Sequence, residues 1–222
     1  MERYYSEKLS AEKLRRVYEI ATPRVRQYLD AEIDFVLDNI SSTNIVLETG
    51  CGYGRVIKKL CAKARLAIGI DTSLASLKLA VDKPKRYNYL LSCMDAVAMG
   101  FADNVFDVTA CIQNGISAFK ANQMELIREA VRVTRTGGIV LFSSYSEKFW
   151  DDRLEWFQFQ ANEGLLGEID YDKTGDGVII CKDGFKATTV TPDDFRRLTS
   201  ELGYTCRIIE IDDSSLFCKI IV

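Results

Sequence analysis

The stretch Asn44-Ile45-Val46-Leu47-Glu48-Thr49-Gly50-Cys51-Gly52-Tyr53-Gly54-Arg55-Val56-Ile57 decides the fold. Its apolar run Ile45-Val46-Leu47 is short and rich in β-branched side chains, as a strand buried on both faces should be. Three alternating glycines follow, and Val56, Ile57, Leu60 and Cys61 then fall at helical spacing. A strand that turns through glycines into a helix N-terminus makes a small binding crevice. Glycine lets the backbone pass close to a ligand, and the first-turn N–H groups lack partners within the helix. A dinucleotide fingerprint would place glycines first, third and sixth. Here the sixth position is Arg55, and the glycines are Gly50, Gly52 and Gly54. Glu48, just ahead of them, would repel a pyrophosphate but suits a ligand carrying cationic groups. A glycine turn alone marks a crevice without naming its ligand, since such turns recur in many α/β proteins.

The segments downstream repeat the same unit. Leu66-Ala67-Ile68-Gly69-Ile70-Asp71 reads as a second buried strand. It ends in an acid about 20 residues beyond the glycines, where a carboxylate can accept both hydroxyls of a ribose. Thr72-Ser73 opens a helix carrying Leu74, Leu77 and Val81 and stopped by Lys83-Pro84. A third strand over 87–93 runs into Met94-Asp95-Ala96, and a fourth over 105–112 into Gln113-Asn114-Gly115. A helix over 122–133, terminated by Thr136-Gly137-Gly138, precedes a fifth strand at 139–143. Strand and helix alternating in this way predict a parallel, doubly wound sheet. Ligands of such sheets bind beyond the C-terminal strand ends, where Gly50, Asp71, Asp95 and Gln113 all fall.

The flanks read differently. Residues 10–21 fit an amphipathic helix with Ser10 as N-cap, and Thr22-Pro23 begins a second that runs to about residue 40. The two form either a cover packed on the sheet or a lid over the glycine turn. Residues 146–190 read as an insertion, with Phe149, Trp150, Trp156, Phe157 and Phe159 followed by Glu163, Glu168, Asp170, Asp172 and Asp176. Two short strands are expected there, at 178–181 and 185–190. Thr191-Pro192-Asp193-Asp194 starts a capped helix ending at Gly203. Strands at 204–211 and 216–222, joined by Asp212-Asp213-Ser214-Ser215, must be antiparallel. The expected organisation is one domain over 1–222, with a helical cover at 1–43 and a substrate-side insertion at 146–190.

Composition narrows the function classes. The 222 residues are 47% apolar, enough for a substantial core, and carry a net charge of −3. That balance offers no basic footprint for nucleic acid. No apolar run nears the ~20 residues of a membrane span, and the opening Met1-Glu2-Arg3-Tyr4-Tyr5-Ser6-Glu7-Lys8 lacks an apolar signal segment. A soluble, cytoplasmic protein without a membrane partner is expected. Seven scattered cysteines without a Cys-x-x-Cys pair fit a reducing compartment. Histidine is absent, which excludes Ser-His-Asp and Cys-His nucleophile pairs and leaves no plausible zinc site. No metal is expected.

Four motifs in register resemble the class I S-adenosylmethionine-dependent methyltransferases, of the broad small-molecule, methyltransferase type 11-like kind. The likeness covers roughly residues 44–145. Leu47-Glu48-Thr49-Gly50-Cys51-Gly52-Tyr53-Gly54 looks like the family's first motif, and Asp71 stands where its ribose-binding acid stands. Asp95-Ala96 matches the segment along the adenine. Met99-Gly100-Phe101-Ala102-Asp103-Asn104-Val105-Phe106-Asp107-Val108 is similar to a Leu-Pro-Phe-x-Asp-x-x-Phe-Asp-x-Val stretch, with Gly100 replacing the proline. The resemblance implies a Rossmann-like α/β sheet of seven strands in the order 3-2-1-4-5-7-6, the last strand antiparallel. It also implies S-adenosyl-L-methionine as cofactor and a small-molecule methyl acceptor. The cofactor-binding candidates are Glu48, Gly50, Cys51, Gly52, Asp71, Thr72, Asp95, Ala96 and Gln113.

A sulfonium methyl is already activated, so the protein mainly positions it against a nucleophile in a dry pocket. A neutral amine or a thiolate needs little acid–base help, whereas a hydroxyl needs a base. No residue stands out as that base. Tyr18, Tyr145 and Trp150 are the substrate candidates. With the insertion's carboxylates, such aromatic faces would suit a cationic amine. A protein that binds the cofactor without catalysis is the alternative. A nicotinamide-dependent reductase is disfavoured by the glycine spacing and the terminal hairpin.

Overall fold

The computed structural model describes residues 9–81 and 88–222. β1 (Ile45–Thr49) is the central strand of a seven-stranded sheet, between β2 (Leu66–Asp71) and β4 (Phe106–Cys111). β3 (Tyr89–Cys93) forms one edge beyond β2, and β5 (Thr134–Tyr145) lies beyond β4. A two-residue hairpin of β6 (Ile179–Ile180) and β7 (Lys186–Ala187) stands apart. β8 (Cys206–Ile211) and β9 (Ser215–Ile221) complete the order β3-β2-β1-β4-β5-β9-β8. With the separate hairpin left out of the count, this is the expected 3-2-1-4-5-7-6. β1 to β5 pair in parallel, and β9 enters antiparallel to β5.

The helices are α1 (Glu12–Glu19), α2 (Pro23–Asp38), α3 (Ile57–Leu60), α4 (Leu74–Ala80), α5 (Gly115–Ala118), α6 (Gln123–Val133), α7 (Trp150–Asn162) and α8 (Pro192–Glu201). Successive strand residues point to opposite faces, so Val46 and Leu47, both fully buried, belong to different cores. Val46 packs with Ile33, Val36, Ile57 and Leu60 from α2 and α3. Leu47 packs with Phe106, Ile127 and Phe195, under α6 and α8. Each such side chain contributes roughly 1.5–3 kcal/mol by leaving water. A third cluster joins Val17, Tyr28, Tyr145, Phe149, Trp156, Phe157 and Phe185. It forms a roof from the first two helices, α7 and the small hairpin.

Several ends follow local chemistry. Thr22 Oγ1 accepts the Val25 N–H ahead of Pro23, Asn122 caps α6, and Thr191 with Asp194 closes a reciprocal capping box on α8. Others differ from expectation. Ser10 does not cap α1; Ala11 stands at its N-cap with φ 54°, and its N–H reaches Ser76 Oγ in α4 at 2.9 Å. A tertiary partner has replaced a local one. α6 ends at Val133, and Thr136-Gly137-Gly138 lie inside β5 rather than stopping a helix. The pairing with β4 shifts register between Phe106 and Val108, which accommodates them. Gly138 has no room for a Cβ, which would sit 2.7 Å from the Arg135 carbonyl oxygen.

Of the apolar residues read onto the helix after Thr72-Ser73, Leu74 and Val81 are exposed, while Leu77 is buried together with Ala80. α5 and α7 were not anticipated. In α7 the inward positions include Arg153 and Gln160, and these polar residues hide the helical period. The Lys83-Pro84 stop and position 87 of the third strand fall outside the described residues, as does the opening octapeptide. No helix among the described residues is long and apolar enough to cross a membrane.

Candidate active site

The glycine turn holds its shape through backbone conformation. Gly50, Gly52 and Gly54 have φ of 74°, 53° and 85°, in the left-handed region. The Gly50 and Cys51 N–H groups both donate to the Ile70 carbonyl, at 2.8 and 3.0 Å, which ties the turn to the end of β2. Asp71 adds the second tie. Its Oδ2 accepts the Gly52 N–H at 2.9 Å and its Oδ1 the Ser73 N–H at 2.7 Å. Burial raises its pKa, against the pull of those two N–H donors.

A cavity of about 410 Å³ opens over these strand ends. Of the residues singled out in the sequence, Gly50, Asp71, Thr72, Asp95, Ala96, Gln113, Tyr18 and Tyr145 line it. Glu48, Cys51, Gly52 and Trp150 do not. Cys51 packs against Gly69, where a Cβ would lie 2.8 Å from its Sγ, and burial raises its thiol pKa. Gly52 lies under Leu14 of α1, 3.1 Å from the place of a Cβ. Trp150 lies against the Arg153 guanidinium, 5.8 Å from the ring centre.

Glu48 is buried at the end of β1, its Oε2 without a hydrogen-bond partner. Burial pushes its pKa up to about 8, with Arg55 pulling it back. Arg55 stacks 4.5 Å over the Tyr18 ring and leaves Nε and Nη2 unpartnered. A lone carboxylate oxygen and free guanidinium donors beside one glycine turn fit the ammonium and carboxylate of a methionyl group. Asp71 and Asp95, on the cavity wall, are the carboxylates suited to a sugar and an adenine amine.

α1 lies across the cavity. Its N-terminal end is held by Ser76 of α4, and its Val17 carbonyl accepts the Trp156 Nε1–H of α7 at 3.1 Å. Tyr18 donates to Gln113 Oε1 at 3.2 Å. At the surface Arg16 pairs with Glu163 at 2.8 Å. Among the other acids of the insertion, exposed Glu168 pairs with Lys182 and the partly buried Asp170 with Lys173. None of the insertion's acids singled out from the sequence lines the cavity, because charged side chains keep their water unless paired inside. The carboxylate face imagined for a cationic amine is therefore not formed.

One residue escaped the sequence reading. Glu32, fully buried on α2, accepts from Gln113 N–H at 2.6 Å and Ser143 Oγ at 2.9 Å, and from Ser215 Oγ. Burial raises its pKa to about 7 against those donors. It joins α2 to the end of β4, to β5 and to β9. Gln113 and Asn114 sit there at φ 56° and 59°, unusual for side chains larger than glycine. The available signal was spacing: Glu32 lies three residues after Leu29 and seven after Val25, on the apolar face.

Comparison with known proteins agrees with this geometry. Residues 46–138 match a family model described as a methyltransferase domain. A malonyl-[acyl-carrier protein] O-methyltransferase of Marinomonas sp. is 27% identical over 171 residues, covering 66% of this chain and 62% of that protein. The protein of the same name from Hamiltonella defensa is 31% identical over 99 residues, 45% of this chain and 37% of its own length. The chain thus spans 37–62% of the length of these curated relatives. The N-methyltransferase NodS of Bradyrhizobium japonicum, solved with S-adenosyl-L-homocysteine, shares the fold with a TM-score of 0.63. Its identity is 16%, over 98% of this chain and 97% of that one. With the matched domain, the strand order and these relatives in agreement, residues 46–138 are similar to a methyltransferase domain and the chain has the fold of the S-adenosylmethionine-dependent methyltransferases.

Proposed function

We propose that the chain transfers a methyl group from S-adenosyl-L-methionine to a small-molecule acceptor, in the cytoplasm. The observation that carries this is a cavity with two unlike walls. Gly50, Asp71, Thr72, Asp95 and Ala96 form a polar floor at the strand ends, while Val17, Leu29, Trp156 and Phe157 belong to an apolar roof. The sulfonium supplies an already activated methyl. The chain's work is to orient and to exclude water. Glu48 and Arg55 would hold the methionyl end, Asp71 with Thr72 the ribose, and Asp95 with Ala96 the adenine. The cover at 1–43 and the insertion at 146–190 would enclose the acceptor, with Tyr18 and Tyr145 on that side. The free cysteines among the described residues support a reducing compartment.

The names of the curated relatives favour oxygen as the acceptor atom, and they make a carrier-borne acyl group a second reading. Calorimetry with S-adenosyl-L-methionine, followed by detection of S-adenosyl-L-homocysteine in the presence of acceptors, tests the proposal. Binding without product across broad panels of acceptors, free and carrier-borne, would favour the non-catalytic alternative.

A further inference from the structure

Resting on that reading, we infer that Phe119 offers its ring to the sulfonium and makes the site prefer the charged cofactor to its neutral, demethylated product. Phe119 belongs to none of the motifs read from the sequence. It directly follows α5 and lines the cavity. The glycine turn fixes where such a ring matters. With the methionyl end at Glu48 and Arg55 and the ribose at Asp71, the sulfur joining them would pass over the turn between these residues. Gly50 is the place open to it, since Gly50 lines the cavity while its neighbours Glu48, Cys51 and Gly52 do not.

The Phe119 ring lies against that place. A Cβ on Gly50 would sit 2.5 Å from its Cζ and 2.6 Å from its Cε1. A Cβ on Gly115 would sit 3.1 Å from the same Cζ. Two glycines, one in the turn and one at the start of α5, thus leave the space that the ring fills. The side chain is partly buried, packed on the core beneath α6 and α8, and it still opens to the cavity. The segment that carries it is tied down on both sides of the ring. Asn114 Nδ2 donates to the Thr188 carbonyl at 2.9 Å, and Lys120 Nζ donates to the Lys186 carbonyl. Lys120 holds a left-handed φ of 54° immediately after the ring. Contacts on both flanks thus set the ring's position.

The chemistry of a sulfonium suits an aromatic neighbour. It carries a full positive charge, yet it has no N–H or O–H to donate. An aromatic ring attracts such a cation through its quadrupole, more strongly where water is excluded. Once the methyl has gone, the sulfur is a neutral thioether and that attraction ends. The ring therefore favours entry of the cofactor over retention of the product, without any proton transfer.

The test is calorimetry of the wild-type chain and of Phe119→Leu with three ligands. These are S-adenosyl-L-methionine, S-adenosyl-L-homocysteine and sinefungin, which carries an ammonium in place of the methylsulfonium. Phe119→Leu should raise the Kd for S-adenosyl-L-methionine about five-fold and that for S-adenosyl-L-homocysteine by less than about two-fold. Sinefungin should follow the charged cofactor, which separates charge from the bulk of the methyl. Phe119→Met, whose unbranched side chain refills the space differently, should show the same split. Equal weakening of all three ligands in both variants, complete loss included, makes the ring a wedge under the turn and overturns the inference. So does an unchanged Kd for S-adenosyl-L-methionine. A wild-type chain that binds none of the three removes the methyltransferase reading, and the inference with it.

Discussion

The floor and the roof of the cavity are built on opposite plans. The floor is made of short consecutive stretches, 48–54, 71–73 and 94–97, whose backbone shape is dictated by glycine and by the sheet beneath. Asp71 binds N–H groups only 19 residues before it and 2 after it. The roof is assembled from side chains far apart in the chain. Trp156 reaches Val17 across 139 residues, and Glu32 reaches Ser215 across 183. The lesson is that the floor should fail through single backbone positions, and the roof through the loss of shared buried partners.

The sharpest break is Glu32→Ala. It would strand the Gln113 N–H and two serine hydroxyls in a fully buried site, at a cost of about 3–5 kcal/mol in urea denaturation. Glu32→Gln should retain most of that stability; equal losses in both variants would mean the network holds nothing together. pH gives the next effect. The folded-state pKa of Glu32 is about 7, above its ordinary 4.5, and that of Glu48 is about 8. The folded chain therefore binds more protons than the unfolded one between these values. The stability contributed by these two groups is full below about pH 4.5 and is lost as pH rises through 7 and 8, by on the order of 3 kcal/mol for Glu32 alone. Glu32→Gln should roughly halve the slope between about pH 4.5 and 7 and leave the Glu48 portion, which continues to about pH 8. A chain that gains stability from about pH 5 to about pH 8 would contradict both shifts.

On the floor, Gly50→Ala combines a left-handed φ of 74° with a Cβ placed 2.5 Å from the Phe119 ring. It should lose roughly 2 kcal/mol of stability and most cofactor affinity. Asp71→Ala should weaken cofactor binding by about 1–3 kcal/mol, and unchanged calorimetry would remove it from the ribose position. The finest distinction lies within the roof. Trp156→Phe gives up the bond to the Val17 carbonyl and should cost about 1 kcal/mol. Arg16→Ala, losing a half-exposed ion pair, should cost less than that. The reverse order would mean that α1 is held by its surface charges rather than from beneath.

The same division explains what could be read in advance. Val46 and Leu47 announce a strand buried on both faces whatever lies around them, and alternating strands and helices then allow few topologies. Thr22, Asn122 and Thr191 are caps whose partners lie within three residues, so they too were legible. Ser10 misled because Ala11 found Ser76 instead, 65 residues away. Thr136-Gly137-Gly138 misled because a register shift against β4 absorbs three residues that look like a helix stop. Trp156 and Phe157 were visible as aromatics, yet Arg153 before them and Gln160 beyond them concealed the helix they share. The acids of the insertion were visible too, but not that lysines and Arg16 would hold three of them outside.

The chain's order of residues by itself settled the sheet, its winding and the crevice at its carboxyl edge, because those depend on spacing and backbone freedom within a few positions. Only the folded molecule decided that Glu32 lies at the junction of α2, β4, β5 and β9, and that Tyr28 and Gln113 line one cavity with Trp156 and Phe157. Such meetings depend on which distant side chains exclude water together, and no local pattern encodes that.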